Sequence, residues 1–320
     1  MAGVIAVTGA NGFVGRALCI EAVNRGRVVR GITRAPCSLP DGVECVVVGE
    51  VDGETQWAHA LAGCEVVVHL AARVHIMRDI SQDPLSEFRR INTAGTTRLA
   101  QCAVSAGVRR LVNVSSIGVN GASTEGELEF TDQDIPDPHN PYSQSKWEAE
   151  QALRVIQSQG ALEVVTVRPP LIYGPGVGGN FLRLLGAVYR GIPLPLGLTR
   201  NFRDLLFVGN LADFLLLCAD HPRANGNTYL VSDGTPVSTH TLLRGLARAL
   251  NVPSRLFPVP PFLLQWAGNM TGYTAEFERL LSSLRVDSGK VQRELDWHPS
   301  YSLRQGLQAT ADWYVTSLKK

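Results

Sequence analysis

Six short valine-rich runs, spaced along the first half of this 320-residue chain, constrain its fold more than any other feature. VIAVTGA, RVVRGIT, CVVVGEV, EVVVHLAA, RRLVNVSS and LEVVTVRPP are each near-continuously apolar, the pattern of strands covered on both faces. Helix-like stretches around Ala17 to Asn24, Glu87 to Ala106 and Tyr142 to Gln157 lie between them. The alternation predicts an α/β fold, a Rossmann-type doubly wound parallel sheet. After Arg168 the texture changes: PPLIYGPGVGGN and RGIPLPLGLTRN concentrate Pro and Gly, which mark loops. LLFVGNLADFLLLCAD and NTYLVSDG then read as a return to the sheet. The segment from about Val237 to Lys320 reads as helices with Pro-rich connections. The expected organisation is a sheet domain of residues 1–170 plus about 205–232, interleaved with a smaller, mostly helical domain of about 171–204 plus 233–320.

Hydrophobic content of 45% and charged content of 18% are globular values, so disorder is excluded. A formal net charge of +1 gives no global field for nucleic acid or a membrane surface, so any phosphate binding must come from local geometry. MAGVIAVTGANG lacks a cationic lead and reads as a buried strand, not a signal peptide. The longest apolar stretch, near Leu205 to Cys218, is interrupted by Asn210 and Asp213, well short of a membrane span. Six cysteines without a CxxC pair read as reduced structural thiols of a cytoplasmic protein. Seven histidines without HxxxH or HExxH spacing predict no metal site.

Gly9-Ala10-Asn11-Gly12-Phe13-Val14-Gly15 follows the first predicted strand and opens a helix. Glycines there permit a tight turn, close backbone approach to a pyrophosphate, and close helix–strand packing, while the helix N-terminus favours the anion. The larger domain is therefore expected to bind a nicotinamide dinucleotide. An acid ending the second strand would accept from the adenosine ribose and repel a 2′-phosphate. Thr33 and Arg34 stand in that place, a hydroxyl and a guanidinium that favour NADP(H), with NAD(H) also possible.

Tyr142-Ser143-Gln144-Ser145-Lys146 begins a helix after Pro141, and the four-residue spacing sets phenol and ammonium side by side. A neighbouring ammonium and an oxidised nicotinamide both stabilise phenolate, which would move the phenol toward its working range. Ser115 and Ser116 end the strand LVNVSS, where active sites of this architecture gather. Ser116 is placed to hydrogen-bond a reacting carbonyl or carbinol oxygen; Ser115 reads as a hydroxyl satisfying backbone.

GANGFVG, HLAA, VSSIGVNG, NPYSQSK and RPPLIYGPG, in this order and spacing, resemble the extended short-chain dehydrogenase/reductase family over essentially the whole chain. The resemblance implies triad roles for Ser116, Tyr142 and Lys146. It implies cofactor contacts at Glu50 and Val51 beside the adenine, and at Leu70, Ala71, Ala72, Asn92 and Pro169. In the other half it implies a nucleotide sugar, with Asn180 and Arg203 on its diphosphate, guanidinium forks suiting such oxygens. Arg279 is a further phosphate candidate, and Arg73 and His75, which follow HLAA, border the sugar. The family also implies a homodimer through the helices around Glu87 to Ala106 and Tyr142 to Gln157.

AARVHIM, DPLSEFRRINTAGT, SSIGVNG, RPPLIYGPGVGGNF and PLPLG are similar to one bacterial subgroup that reduces UDP-4-keto-6-deoxy-N-acetylglucosamine to UDP-N-acetylquinovosamine in O-antigen synthesis. Gly118 departs from it, standing where a lysine is expected. The expected function is thus NAD(P)H-dependent reduction of a C4 ketone on a UDP-linked amino sugar, with Tyr142 the proton donor. A UDP-N-acetylhexosamine or UDP-glucose 4-epimerase with tightly bound NAD uses the same triad and is the alternative. A 4,6-dehydratase needs an acid/base pair that Ile117 and Gly118 do not supply. A non-catalytic dinucleotide sensor is the remaining reading, opposed by the intact triad.

Overall fold

The computed structural model describes residues 3–74, 83–260, 262–264, 270 and 281–319. All six valine-rich runs form strands: β1 (Val4–Thr8), β2 (Val29–Thr33), β3 (Val43–Val47), β4 (Cys64–His69), β5 (Arg110–Val114) and β6 (Glu163–Arg168). Two short strands, β7 (Leu171–Tyr173) and β8 (Leu205–Phe207), pair with each other, and β9 (Thr228–Leu230) adds to the main sheet. That sheet is parallel, in the order β3-β2-β1-β4-β5-β6-β9. Its order reverses at β1, which lies between β2 and β4, so a crevice opens above the carboxyl ends of β1 and β4.

Side chains alternate between two covered faces. Ile5, Val7, Val66 and Val112 pack under the helices Phe13–Asn24 and Val208–Asp220, through Leu18, Ala22, Phe214 and Leu215. Ala6, Val67, Leu111 and Val164 pack under Gly95–Ser105 and Pro141–Ser158, through Leu99, Ala103, Leu153 and Ile156. Burial of this kind, at about 25 cal/mol per Å² of apolar surface, drives the fold. β3 departs from the expectation of two covered faces: it is an edge strand, and Glu44, Cys45 and Val47 are exposed.

A second correction concerns residues 205–220. Only β9 returns to the main sheet; β8 leaves it, and Val208–Asp220 is a helix. That helix is apolar on most sides because it is buried, and such a run looks like a covered strand until its length is weighed. The helices Gly179–Tyr189, Thr239–Ala249 and Leu303–Ser317 enclose a separate core of Phe181, Leu185, Leu243, Leu246 and Leu307. The chain then crosses back: Val291, Leu295 and Trp297 pack into the sheet core. No helix among the described residues is long and apolar enough to cross a membrane.

Candidate active site

Two adjoining cavities lie over the carboxyl ends of the strands. The larger is a cleft of about 820 Å³ floored by the glycine loop. Gly9 has a left-handed φ of 66°, and the Gly12 amide donates to its carbonyl at 2.9 Å. Gly12 also caps the helix Phe13–Asn24 without a side-chain hydrogen bond, so the first-turn N–H groups face the cleft as an anion site. Gly15 serves packing: a Cβ there would stand 2.1 Å from the Gly9 carbonyl oxygen. Asn11, Phe13 and Val14 complete this wall.

Leu70, Ala71 and Ala72 form the next wall, and a buried polar chain fixes them. The Leu70 and Ala71 amides both donate to Thr8 Oγ1 at 3.1 Å, so its hydroxyl donates to His69 Nδ1 at 2.7 Å. His69 Nε2 then donates to Thr96 Oγ1 at 3.0 Å. Burial, with the Lys146 charge behind it, holds His69 down to about 3, so its ring is neutral.

At the far end, Thr33, Arg34, Glu50 and Val51 line the cleft. Thr33 donates to the Ala35 carbonyl at 3.0 Å, and Arg34 faces Glu50 at 3.6 Å, both ends exposed. The hydroxyl and guanidinium that predict a 2′-phosphate site therefore already have partners, one of them a carboxylate.

Ser116, Tyr142 and Lys146 are brought together at the other end. Ser116 caps the turn Ile117–Val119 and accepts from the Gly118 amide at 3.1 Å. Asn140 caps the helix Pro141–Ser158 by accepting from the Ser143 amide, which sets Tyr142 in the first turn and Lys146 one turn on. Lys146 Nζ donates to the Val114 carbonyl at 2.8 Å. Burial draws this ammonium down to about 8, against the opposing charge of Glu150, and pushes the Tyr142 phenol up to about 12. The lowered phenol expected from the adjacent ammonium and an oxidised nicotinamide is thus opposed by burial in the protein alone. Phe88 packs edge-on against Tyr142, ring centroids 6.0 Å apart, and Arg73 lies over Phe88 at 5.5 Å.

The second cavity, of about 640 Å³, shares Ser116, Tyr142, Pro169 and Pro170 with the first. Its walls bring Gly118, Ser123, Asn140, Ser143, Arg203 and Ser282 together, and among the described residues no carboxylate lines it. Arg203 donates to the carbonyl and hydroxyl of Ser282, each at 3.1 Å. Asp204 instead accepts from the Val286 amide at 2.9 Å, and burial raises it to about 6.

Other candidates stand elsewhere. Asn92, from a single π-helical segment (Arg89–Ala94), is buried behind the cleft wall. It brackets the backbone of Arg73, donating to its carbonyl at 3.0 Å and accepting from its amide at 2.8 Å, and donates to Ser145 Oγ. Arg73 itself lines the larger cleft and not the second cavity. Asn180 is exposed and lines neither, although Gly178 and Gly179 line the cleft. His75 and Arg279 lie outside the described residues.

Sequence reasoning missed Glu150 and Arg168, whose buried ion pair lies directly behind the triad at 2.6 Å. The available signal was spacing: Tyr142, Lys146 and Glu150 recur every four residues along one helix face. Among the described residues no cluster of His, Cys, Asp and Glu could hold a metal ion.

The model of the NAD dependent epimerase/dehydratase family matches residues 5–232. A UDP-glucose 4-epimerase of Vibrio cholerae is 38% identical over 313 residues, covering 97% of this chain and 95% of that protein. An N-acetyl-alpha-D-glucosaminyl-diphospho-ditrans,octacis-undecaprenol 4-epimerase of Escherichia coli O157:H7 is 27% identical, covering 99% and 96%. Among solved structures, MoeE5 in complex with UDP-glucose and NAD superposes with a TM-score of 0.79 at 27% identity, covering 99% of this chain and all of that one.

Proposed function

The chain belongs to the NAD dependent epimerase/dehydratase family, and from that premise we propose that it interconverts C4 epimers of a UDP-linked hexose or N-acetylhexosamine with NAD held in the cleft. One observation carries this reading: the two cavities meet on Ser116 and Tyr142. A sugar seated in the smaller cavity thereby presents one carbon to both the triad and the larger cleft.

The cleft residues suit a dinucleotide. Gly9 has the backbone that only glycine adopts without strain, and an added Cβ would come within 3.0 Å of the Ala71 amide nitrogen, filling the cradle. When bound, NAD would supply a reversible hydride acceptor for the C4 hydrogen. The chain's own residues handle the proton and the geometry. Tyr142 exchanges the proton of the C4 oxygen, Ser116 hydrogen-bonds that oxygen, and Lys146 stabilises the phenolate form. Arg203 grips the diphosphate as a guanidinium fork. Ile117 and Gly118 follow Ser116 and no carboxylate lines the smaller cavity among the described residues, which argues against elimination of water across C5–C6.

The full-length likeness to a UDP-glucose 4-epimerase favours epimerisation over the net reduction expected from the subgroup motifs. Reduction of UDP-4-keto-6-deoxy-N-acetylglucosamine stays as the second reading, because Arg34 lines the cleft and no acid ends β2. One experiment separates them. Purified protein is incubated with UDP-glucose or UDP-N-acetylglucosamine, and separately with the 4-keto sugar plus NADH or NADPH. Appearance of the C4 epimer without added dinucleotide is the expected result. Stoichiometric NAD(P)H oxidation by the keto sugar alone transfers the assignment to the reductase. In either arm Tyr142→Phe lowers kcat by about 10²- to 10⁴-fold, and full retention of turnover refutes the triad. The same reading carries a homodimer through the helices Gly95–Ser105 and Pro141–Ser158, to be checked by sedimentation.

A further inference from the structure

Behind the triad lies a largely buried polar network, which meets the larger cleft at Ser115. Glu150 is 1% exposed and Arg168 2%. Arg168 donates to both Glu150 oxygens, Nη2 at 2.6 Å and Nε at 3.0 Å, and through Nη1 to Asn120 Oδ1 at 2.9 Å. Asn120 in turn donates to the Thr131 carbonyl at 2.8 Å. The remaining donor to Glu150 is Ser115, whose hydroxyl reaches Oε1 at 2.5 Å. Ser115 is the residue immediately before Ser116, and its amide is tied to the Val167 carbonyl at 2.7 Å.

A buried ion pair is weak evidence for stability, since well-packed apolar residues of similar volume often serve as well. Its position therefore requires another explanation. Glu150 stands one helical turn beyond Lys146 and two beyond Tyr142, on the same face. It thus touches the strand that carries Ser116 while lying on the helix that carries the other two members. We propose that Glu150, held by Arg168, is a positioning residue that locks the Ser116 strand end to the Tyr142–Lys146 helix through the Ser115 hydroxyl. Ser115, which reads in sequence as a local backbone contact, is the link. The chemical consequence is a fixed distance from Ser116 Oγ to the phenol oxygen, since an ångström of misplacement costs as much as 100-fold in rate.

The proposal rests on the triad reading, and its test keeps the two apart. Glu150→Leu combined with Arg168→Met removes both charges and fills the space, so melting falls less than in either single variant, by the lost partners of Asn120 and Ser115, while kcat falls roughly 10- to 100-fold. Ser115→Ala, which removes the linking hydroxyl at the cleft wall, lowers kcat by more than it changes the NADH dissociation constant. It also speeds hydrogen exchange of the 114–120 amides without altering the rest of the sheet. A folded double variant with wild-type kcat overturns the proposal. So does Ser115→Ala with unchanged exchange at 114–120. If the double variant does not fold, Ser115→Ala decides alone. If the wild type turns over no nucleotide sugar, the functional reading fails, and exchange at 114–120 still decides this one.

Discussion

Lys146 illustrates how a single buried charge carries opposite signs for folding and for function. The residue is 3% exposed and its ammonium is drawn down to about 8 by burial, whereas an unfolded lysine stays near its ordinary value of 10.5. The folded state therefore binds fewer protons than the unfolded state between these values. The cost is fully present below pH 8, of order ~3 kcal/mol for a shift of that size, and is relieved as pH rises. Lys146→Met is accordingly expected to melt above the wild type at pH 7, with the gap narrowing from pH 8 to 10. Above that, ionisation of the unfolded tyrosine destabilises both, since Tyr142 is held up at about 12. A gap independent of pH in thermal melts refutes the assignment. A second residue-scale expectation concerns Arg34 and Glu50, whose exposed contact at 3.6 Å occupies the guanidinium that would receive a 2′-phosphate. Exposed pairs contribute little to stability but still set local charge. Glu50→Gln should tighten NADPH binding by about threefold to tenfold at low salt and leave NADH within twofold, as read by ligand fluorescence. Equal changes in both ligands would remove Glu50 from the choice of dinucleotide.

At the scale of elements, the glycine loop separates packing from ligand approach. A Cβ on Gly15 would lie 2.1 Å from the Gly9 oxygen and 2.8 Å from Ala10 Cα, both backbone. A Cβ on Gly12 meets only the Gly9 oxygen at 3.1 Å. Gly15→Ala must therefore lift the whole helix Phe13–Asn24 and should cost about 1–3 kcal/mol or more in chemical denaturation. Gly12→Ala should cost less than half of that and act mainly on dinucleotide affinity. Equal losses of stability would contradict the division. The loop, the six strands and the Tyr142–Lys146 spacing were legible because each is a local pattern: periodicity, a helix start, or an i,i+4 pair. The helix Val208–Asp220 was not, because burial on most sides erases the periodicity that marks a helix. Nor was the reverse-side placement of Asn92, which depends on one π-helical turn swinging it toward Arg73 and Ser145. The Glu150–Arg168 pair joins residues 18 apart in sequence across a helix and a strand, so only the register of β5 with β6 brings it beneath Ser116.

The whole molecule closes its smaller cavity by joining chain segments more than 150 residues apart. Thr124 and Phe130, from the excursion after β5, pair with Ser283 and Val286 through backbone hydrogen bonds of 2.9 Å. Arg285 reinforces this seam by binding Glu129 at 2.6 Å and the Glu127 carbonyl at 3.2 Å, and Lys290 binds Asp132 at 2.7 Å. Just inside it, Ser123, Leu281, Ser282 and Leu284 line the cavity, with Arg203 held on Ser282. The larger cleft takes no part of its lining from the seam. Loosening the seam should therefore disturb sugar binding alone. The backbone pairing remains in Arg285→Ala, and a half-exposed ion pair contributes under ~1 kcal/mol, so global stability should hardly change. The expected result is a severalfold rise in KM for the nucleotide sugar, with kcat within about twofold and NADH affinity unchanged. Glu129→Gln should reproduce the direction at smaller size, since the amide still accepts one of the guanidinium bonds. An equal loss of NADH affinity would mean that the seam orders both cavities together. Unchanged KM in both variants would mean that the backbone pairing alone holds the wall.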